Sequence, residues 1–226
     1  MHIPDGFIDA PTSVGAGLVA AGAVAVSLRR AGDSVIESQA PMTGLVAAFV
    51  FAAQMLNFPV ASGTSGHLLG GLLAAVLVGP WLGSLAVTVV LTVQCLFFAD
   101  GGVSALGLNV INMAIVPAFV GYGLFWLARR LLPTTRVGVL VATAFAAFTS
   151  VVLASVAFTL EYAIGGSGAV PVAPVAGAMV GVHVLIGIGE AVITTLTVGA
   201  VLATRPDLVF GARGVAMPRA ATEVAA

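Results

Sequence analysis

The residues whose chemistry stands out first are Met1 and His2, at the head of a polar stretch that covers residues 1–7. The stretch has no basic segment and no small-residue cleavage site behind a short apolar run, so we expect it to be retained and not removed as a signal peptide. A retained start supplies three nitrogen donors: the α-amine, the His2 amide and the His2 imidazole. Nitrogen donors suit nickel, copper or cobalt better than magnesium or calcium, which prefer oxygen. Taken alone, such residues are still more typical of a frayed N-terminus than of a binding site.

The sequence contains three histidines, His2, His67 and His183. His67 follows a flexible turn at residues 62–66, and ten residues of extended chain reach about 30 Å at most. The N-terminal residues can therefore fold back and bring Met1 and His2 beside His67. Three nitrogens from the terminus and one imidazole make a square-planar site, which favours Ni(II) or Cu(II) and accepts Co(II). A histidine near a membrane interface is as often only a hydrogen-bonding group, so His67 alone decides nothing.

A second set of polar residues lies within apolar sequence. Glu190 stands near the middle of an apolar run, where a carboxylate costs about 2.5–3.5 kcal/mol on insertion scales. His183 lies two helical turns before it, which predicts one shared helix face and a separation of about 10 Å. Other polar side chains in or near apolar runs are Gln54, Asn57, Asn109 and Asn112. Two interpretations stay open: these residues join helices by hydrogen bonds, or they orient metal ligands and balance charge.

The composition of the whole chain is that of a membrane protein. Of its 226 residues 60% are hydrophobic and 8% are charged, and the mean hydropathy is +1.16. Soluble domains carry roughly a quarter charged residues. The net charge of −1 provides no basic face for nucleic acid, and the lone Cys95 excludes an internal disulfide. The chain has no lysine, so it cannot carry a Walker A loop, and energy from ATP would have to come from a partner.

Seven apolar runs approach the length of about 20 residues that crosses a bilayer. They cover residues 12–29, 41–58, 66–80, 81–99, 106–129, 137–162 and 175–204. The third is short and ends in Gly79-Pro80, so the alternative is that the third and fourth runs form one helix–turn pair that crosses incompletely. We therefore predict an all-α, polytopic bundle of seven transmembrane helices. Residues 1–204 would form a single transmembrane domain, and residues 205–226 a weakly ordered cytoplasmic tail.

The arginines indicate how such a bundle is oriented. With seven spans, every arginine falls on one side, which the positive-inside rule makes the cytoplasm. These arginines are Arg29, Arg30, Arg129, Arg130, Arg136, Arg205, Arg213 and Arg219. The opposite side carries Asp5, Asp9 and Asp100, with Glu161 near its edge. The N-terminus and the loops before His67 and around Asp100 are thus predicted to lie outside.

A different class of function has to be weighed against metal binding. The run Gly63-Thr64-Ser65-Gly66 fits the G-x-S-G pattern of rhomboid intramembrane proteases, with Ser65 as nucleophile and His183 as its base. Four residues in a glycine-rich chain make a weak signal, and this interpretation leaves the N-terminus and His67 without a role. A simple channel is a third option, but no ring of charges indicates a pore.

Several motifs together resemble the CbiM/NikM family, the substrate-specific membrane components of energy-coupling factor (ECF) transporters for cobalt and nickel. The resemblance begins with Met-His-Ile-Pro-Asp-Gly-Phe at residues 1–7 and Ser-Gly-Thr-Ser-Gly-His-Leu-Leu-Gly-Gly at residues 62–71. It continues at residues 94–106, 107–113 and 181–191, and it runs from residue 1 to about residue 204. The tail lies outside it.

The resemblance implies a seven-helix bundle whose N-terminal segment inserts into an outward-facing pocket. In that family the metal is held by the Met1 amine, the His2 amide and imidazole, and the imidazole matching His67. Supporting pocket residues would be Ser65, Asp100, Asn109, His183 and Glu190. It also implies a non-enzymatic subunit of an ABC importer in the cell membrane, with no cofactor besides the transported Co²⁺ or Ni²⁺. The expected partners are a transmembrane coupling protein, a pair of cytoplasmic ATPases and a small accessory membrane subunit. Which metal is carried is not decided by these residues.

Overall fold

The computed structural model describes residues 1–32, 39–59, 65–168 and 170–214. Within these ranges the chain is helical apart from two short strands and the connecting segments. The helices are α1 (Ala10–Gly32), α2 (Gln39–Gln54), α3 (Gly71–Val78), α4 (Pro80–Phe98), α5 (Leu106–Val110), α6 (Tyr122–Leu131), α7 (Arg136–Gly165) and α8 (Val172–Thr204). The strands are β1 (Phe58–Pro59) and β2 (Ser65–Gly66), which pair antiparallel with Phe58 opposite Gly66.

Among the described residues, five helices are long and apolar enough to cross a membrane: α1, α4, the continuous helix Leu106–Leu131, α7 and α8. Their bounds lie within three residues of five of the predicted runs. The prediction of a helical, multi-pass membrane protein is therefore confirmed. The second predicted run corresponds to α2, which has 16 residues in the described part of the chain.

The third predicted run is wrong as a continuous helix. Its helical part, α3, has eight residues, which at about 1.5 Å per residue spans only about 12 Å. Residues 65–70, called the His67 loop below, precede α3 and begin with the extended pair in β2. The chain turns into the helix at Gly70, whose φ of +74° suits a residue without a Cβ. A Cβ on the next residue, Gly71, would lie 2.7 Å from the Met113 carbonyl oxygen, so close packing also demands glycine there.

The helix Leu106–Leu131 changes its winding midway. α5 continues into a π-helical stretch, Ile111–Gly121, that contains Pro117, and then into α6. Proline has no N–H to donate, so it disturbs the regular hydrogen-bond ladder of an α-helix. Pro117 and the Met113 carbonyl lie against Gly71 at the start of α3. The π-helical stretch and the start of α3 therefore meet at the same depth in the bundle.

The most extensive helix–helix contact among the described residues joins α7 and α8, and α3 is enclosed by α4, the π-helical stretch and the last turns. Every residue of α3 is buried. After α8, residues 206–208 and 210–212 form two 3₁₀ turns, and Val209 and Ala212 pack into the core. Residues 205–214 therefore differ from the weakly ordered tail predicted for them. Residues 215–226 lie outside the described part of the chain.

Candidate metal centre

The first nine residues, called the N-terminal segment below, enter the bundle from its edge. Met1 and Ile3 are fully buried, and His2 is 4% exposed. The Ile3 N–H donates to Asn109 Oδ1 at 2.7 Å, and Asn109 Nδ2 donates back to the Ile3 carbonyl at 3.2 Å. The Gly102 N–H donates to the same carbonyl at 2.8 Å. One side chain and one loop amide therefore bind the backbone of residue 3 and hold the two residues before it in place.

The outer part of the segment is tied to two loops. Asp5 accepts hydrogen bonds from the Ser104 N–H at 2.8 Å and the Ser104 hydroxyl at 2.6 Å. These bonds favour the ionised carboxylate and lower the pKa of Asp5. Further along, the Ser167 N–H donates to the Phe7 carbonyl, and the Asp9 N–H donates to the Gly165 carbonyl at 2.6 Å. The N-terminal segment is thus bound along its length through its backbone.

This insertion brings His2 against His67. The centroids of their rings lie 4.7 Å apart, with the planes inclined by 31°. His67 is fully buried, and its Nδ1 lies 2.7 Å from the Leu68 carbonyl oxygen. Since a carbonyl only accepts, Nδ1 carries the proton and Nε2 keeps a lone pair. His67 Nε2 has no hydrogen-bond partner among the described residues, which leaves that lone pair available to a cation.

Burial also changes the protonation of the Met1 amine and of His2. Desolvation lowers the pKa of the Met1 amine from 8.0 to about 4, against a smaller opposing effect of Asp100. Desolvation and then the nearby amine lower the pKa of His2 from 6.5 to about 4, again with Asp100 opposing. Both groups are therefore neutral at pH 7, and only neutral amines and imidazoles bind metals.

Asp100 supplies a negative charge beside these nitrogens. Its Oδ2 lies 3.5 Å from His2 Nε2 and accepts a hydrogen bond from Asn57 Nδ2 at 3.0 Å. The loop that carries it passes so close that a Cβ on Gly101 would lie 3.0 Å from His2 Nδ1. Gly101 also has a φ of +92°, which a residue with a side chain adopts only with strain. The loop therefore covers His2 closely on one side.

The His67 loop is held from the other side of the bundle by Glu190. The Leu69 N–H donates to Glu190 Oε2 at 2.7 Å, and the Gly70 N–H donates to Oε1 at 2.8 Å. These amides lie directly before α3, so the carboxylate stands at a helix N-terminus, where a negative charge is stabilised. Gln54 Nε2 donates to the Leu69 carbonyl at 2.6 Å. α8 and α2 thus fix the backbone immediately after the ligand candidate.

His183 lies two turns before Glu190 on the buried face of α8, as the spacing predicts. Its Nδ1 bonds the Met179 carbonyl at 2.7 Å, and its Nε2 has no hydrogen-bond partner among the described residues. It interacts electrostatically with both the Met1 amine and His67. Its neighbour Val182 lines an apolar cavity of about 500 Å³ between α2 and α8, together with Leu68 and Glu190.

One predicted residue, Ser65, cannot be placed relative to the site. The side chain of Ser65 lies outside what the structure describes, although its backbone forms β2. Within the described ranges, no three His, Cys, Asp or Glu side chains converge closely enough to hold a metal by themselves. The backbone nitrogens next to the His2 imidazole along the chain are the Met1 amine and the His2 amide.

The predicted residues Met1, His2, His67, Asp100 and Asn109 come together at one place, with Glu190 holding the His67 loop and His183 beside it. The sequence analysis left open whether Gln54 joins helices or supports a ligand, and its bond to the Leu69 carbonyl connects it to the His67 loop. The role of Ser104 was missed, and nothing in its sequence context points to Asp5, 99 residues away.

Comparison with known proteins identifies the family of the chain. The family model "CbiM: Cobalt uptake substrate-specific transmembrane region" matches residues 2–208. A protein of Haloquadratum walsbyi, provisionally named a metal transport protein, is 39% identical over 210 residues, which cover 93% of this chain and 94% of that protein. A protein of Sorangium cellulosum named cobalt transport protein CbiM is 39% identical over 173 residues, 74% of this chain and 75% of the relative.

A solved structure is similar over nearly the whole chain. The crystal structure of a transition metal transporter has a TM-score of 0.83 and 30% identity, and the match covers 90% of this chain and 93% of that one. Nothing in these comparisons supports the rhomboid protease alternative. The buried terminus, the paired histidines and the family match over residues 2–208 lead to one conclusion: the chain belongs to the CbiM family of substrate-specific membrane components for cobalt or nickel uptake.

Proposed function

We propose that the chain captures Co²⁺ or Ni²⁺ from outside the cell through the Met1 amine, the His2 amide and imidazole, and the His67 imidazole. The observation that carries this proposal is the contact between the two imidazole rings, 4.7 Å apart, beside a buried α-amine. In this view the metal is the transported substrate and not a resident cofactor. Four nitrogen donors in one plane favour Ni²⁺ and accept Co²⁺.

The remaining pocket residues act on the ligands and not on the metal. Asn109 holds residue 3 by two hydrogen bonds, and Glu190 and Gln54 hold the His67 loop. Asp100 offsets part of the positive charge that the ion brings beside His2. Such partners of metal ligands commonly change metal affinity about 10–100-fold when they are removed. His183, whose Nε2 has no partner among the residues that the structure describes, lies close enough to interact electrostatically with the site.

The arrangement of the segments supports a chain that crosses the membrane seven times, with the N-terminus outside. The His67 loop and α3 together make the third crossing, part extended and part helical. Backbone that is not helical is tolerated at membrane depth where protein buries it, and residues 66–70 are buried. At the far end of α3, Gly79 lies against Phe210, near Arg213. That end carries the arginines and is the cytoplasmic end in this proposal.

Transport requires partners, since family members act in cobalt and nickel uptake systems and this chain lacks the lysine of a nucleotide-binding loop. We assign ATP hydrolysis to a pair of cytoplasmic ATPases and its transmission to a transmembrane coupling protein. A small accessory membrane subunit completes the complex. Reorientation of the bundle in that complex would release the ion inward.

The test is calorimetric titration of the purified chain with Ni²⁺ and Co²⁺ in detergent. One added glycine before Met1 converts the amine to an amide and moves it, so binding should be lost. The matched control adds the same glycine after Ala226, and it should bind as the unaltered chain does. The intact mass of each preparation checks that Met1 is retained. Unchanged binding after the N-terminal addition would overturn the proposed site.

A further inference from the structure

A second cavity lies at the arginine-bearing end of the bundle, between the end of α6 and the 3₁₀ turns after α8. It has a volume of about 320 Å³, and we call it the arginine cavity. The residues that matter in its wall are Tyr122, Trp126, Phe210, Arg129, Arg130 and Arg213. None of them takes part in the proposed metal centre, and the two sites lie at opposite ends of α3.

Aromatic rings hold two of the three arginines in place. The Arg130 guanidinium lies 3.5 Å from the ring centre of Trp126, and the Arg213 guanidinium lies 4.4 Å from that of Phe210. Stacking of this kind uses the face of the guanidinium and leaves its N–H groups at the edge free to donate. The third arginine contributes a buried donor, since Arg129 Nη1 is inaccessible to solvent and has no hydrogen-bond partner among the described residues.

Among the described residues, those that line the arginine cavity include no carboxylate. Asp207 lines a smaller neighbouring cavity with Arg213, but it is already bound to Arg205, with Arg205 Nη2 2.7 Å from Asp207 Oδ2. Three positive charges around one space repel each other, and an unpaired buried donor is unfavourable. An anion with several acceptor oxygens removes both penalties. Phosphate is one of the anions whose oxygens match the planar donors of arginine, often through two parallel hydrogen bonds.

The surroundings of the cavity are apolar and exposed. On α6, Trp126 is 48% exposed, Leu127 is 51% exposed and Leu131 is 81% exposed. In a multi-pass membrane protein, a tryptophan beside exposed leucines and arginines at a helix end is typical of the interface between lipid tails and headgroups. A ligand that fits both surfaces has a phosphate at the arginines and acyl chains along α6.

We propose that the arginine cavity binds the headgroup phosphate of an anionic phospholipid. The lipid's phosphate diester contacts Arg129 and the two stacked arginines, and its acyl chains lie along the exposed leucines of α6. The wall of the cavity also includes the turn at Gly211, which packs against Phe125 and Val76. A bound lipid therefore braces the end of α3, and it should raise the thermal stability of the chain.

The experiment compares phosphatidylglycerol with phosphatidylcholine of the same acyl chains, titrated into the full chain in detergent and counted by native mass spectrometry. We expect phosphatidylglycerol to bind at least about fivefold more tightly and to raise the Tm more, because only it carries a net negative charge. The double variant Arg129→Gln/Arg213→Gln should bind both lipids equally. The matched control, Arg29→Gln/Arg205→Gln, removes two arginines outside the cavity and should keep the preference. Unchanged nickel binding by both variants verifies that they are folded.

Four results would overturn the proposal. Equal binding of the two lipids by the unaltered chain is one, and equal loss of preference in cavity and control variants is another. Displacement of phosphatidylglycerol by millimolar inorganic phosphate would make this a site for free phosphate and not for a lipid. A cavity variant that keeps its lipid preference but no longer assembles with the ATPase partners would assign the arginines to a protein contact.

Discussion

The N-terminal segment and the His67 loop both deliver ligand candidates to the same point, but they are held in different ways. Residues 66–70 of the loop are buried, and the loop is held by side chains of two helices, Glu190 and Gln54. In the N-terminal segment, Asp5 and Gly6 are exposed, and several of its bonds go to loops near residues 102–104 and 165–167. Local opening is easier where backbone hydrogen bonds are exposed. We infer that the loop is the fixed half of the site and the N-terminal segment the half that opens.

The largest effect should come from removing either imidazole. His2→Ala removes one of the proposed nitrogen ligands of the opening half. His67→Ala removes the single proposed nitrogen ligand of the fixed half. Each should weaken Ni²⁺ and Co²⁺ binding more than about a hundredfold, which exceeds the usual effect of losing a ligand's partner. Calorimetric titration measures this, and circular dichroism verifies the helical content. If His67→Ala binds within tenfold of the unaltered chain, the fixed half does not supply a ligand.

Glu190→Gln should have the next largest effect, because it weakens the fixed half without touching a ligand. The neutral amide cannot accept two backbone N–H bonds as the carboxylate does, so residues 67–70 should exchange amide hydrogens faster. Metal affinity should fall about 10–100-fold. Hydrogen exchange and titration on the same sample measure both effects.

The matched control for that variant is Glu161→Gln. Glu161 is a second intramembrane carboxylate, which accepts a hydrogen bond from Asn112 and makes no bond to the His67 loop. It should change metal affinity less than about threefold. Equal losses in the two variants would mean that Glu190 acts only through general stability.

Asn109→Ala tests the opening half. It removes both bonds to Ile3, so the N-terminal segment should be released more often, and metal affinity should fall about tenfold. Asn112→Ala, three residues further along the same helix, is the control and should leave the terminus protected. Cleavage by an aminopeptidase in the absence of metal reports the release directly. Equal cleavage of the two variants would contradict the role of Asn109.

Lowering the pH should open the N-terminal segment, and each pH unit should have a smaller effect than the removal of an imidazole. The pKa of the Met1 amine is lowered from 8.0 to about 4 by burial, so the released segment binds more protons than the inserted one between these values. Insertion is therefore fully stabilised above pH 8 and weakens as pH falls towards 4. The amine alone accounts for at most about tenfold per pH unit, and the loss steepens below about pH 6.5, where the released His2 also binds a proton.

The α-amine is the only primary amine in a chain without lysine, which makes it directly measurable. Its acylation rate in metal-free protein, divided by that of a short Met-His peptide at the same pH, should rise as pH is lowered from 8 to 5. Asp100→Asn should leave the start of the rise near pH 8 unchanged and extend the rise to lower pH, because Asp100 raises the pKa of the inserted amine only. A ratio that stays constant with pH would contradict acid-driven opening.

Much of the fold could be predicted because the length and hydropathy of a sequence segment identify a transmembrane helix. α1, α4, α7 and α8 lie where apolar runs of 18 or more residues predict them. The short length of α3 was not predicted, since residues 66–80 are apolar apart from His67, and the glycine pair Gly70-Gly71 was not taken as the start of the helix. The chain is extended before Gly70 because its backbone groups bond to side chains of distant helices and not to each other. Glu190 accepts from the Leu69 and Gly70 N–H groups, and Gln54 donates to the Leu69 carbonyl.

The sequence by itself determined that this is a membrane protein, which residues are its candidate ligands, and which family it resembles, since these depend on composition and on local motifs. Only the tertiary structure decided that the rings of His2 and His67 meet, and that Glu190 caps α3 and does not bind beside the histidines. The physical reason is that these contacts join residues 65 to 121 positions apart. No local preference encodes such pairs, and the packing of the bundle selects them.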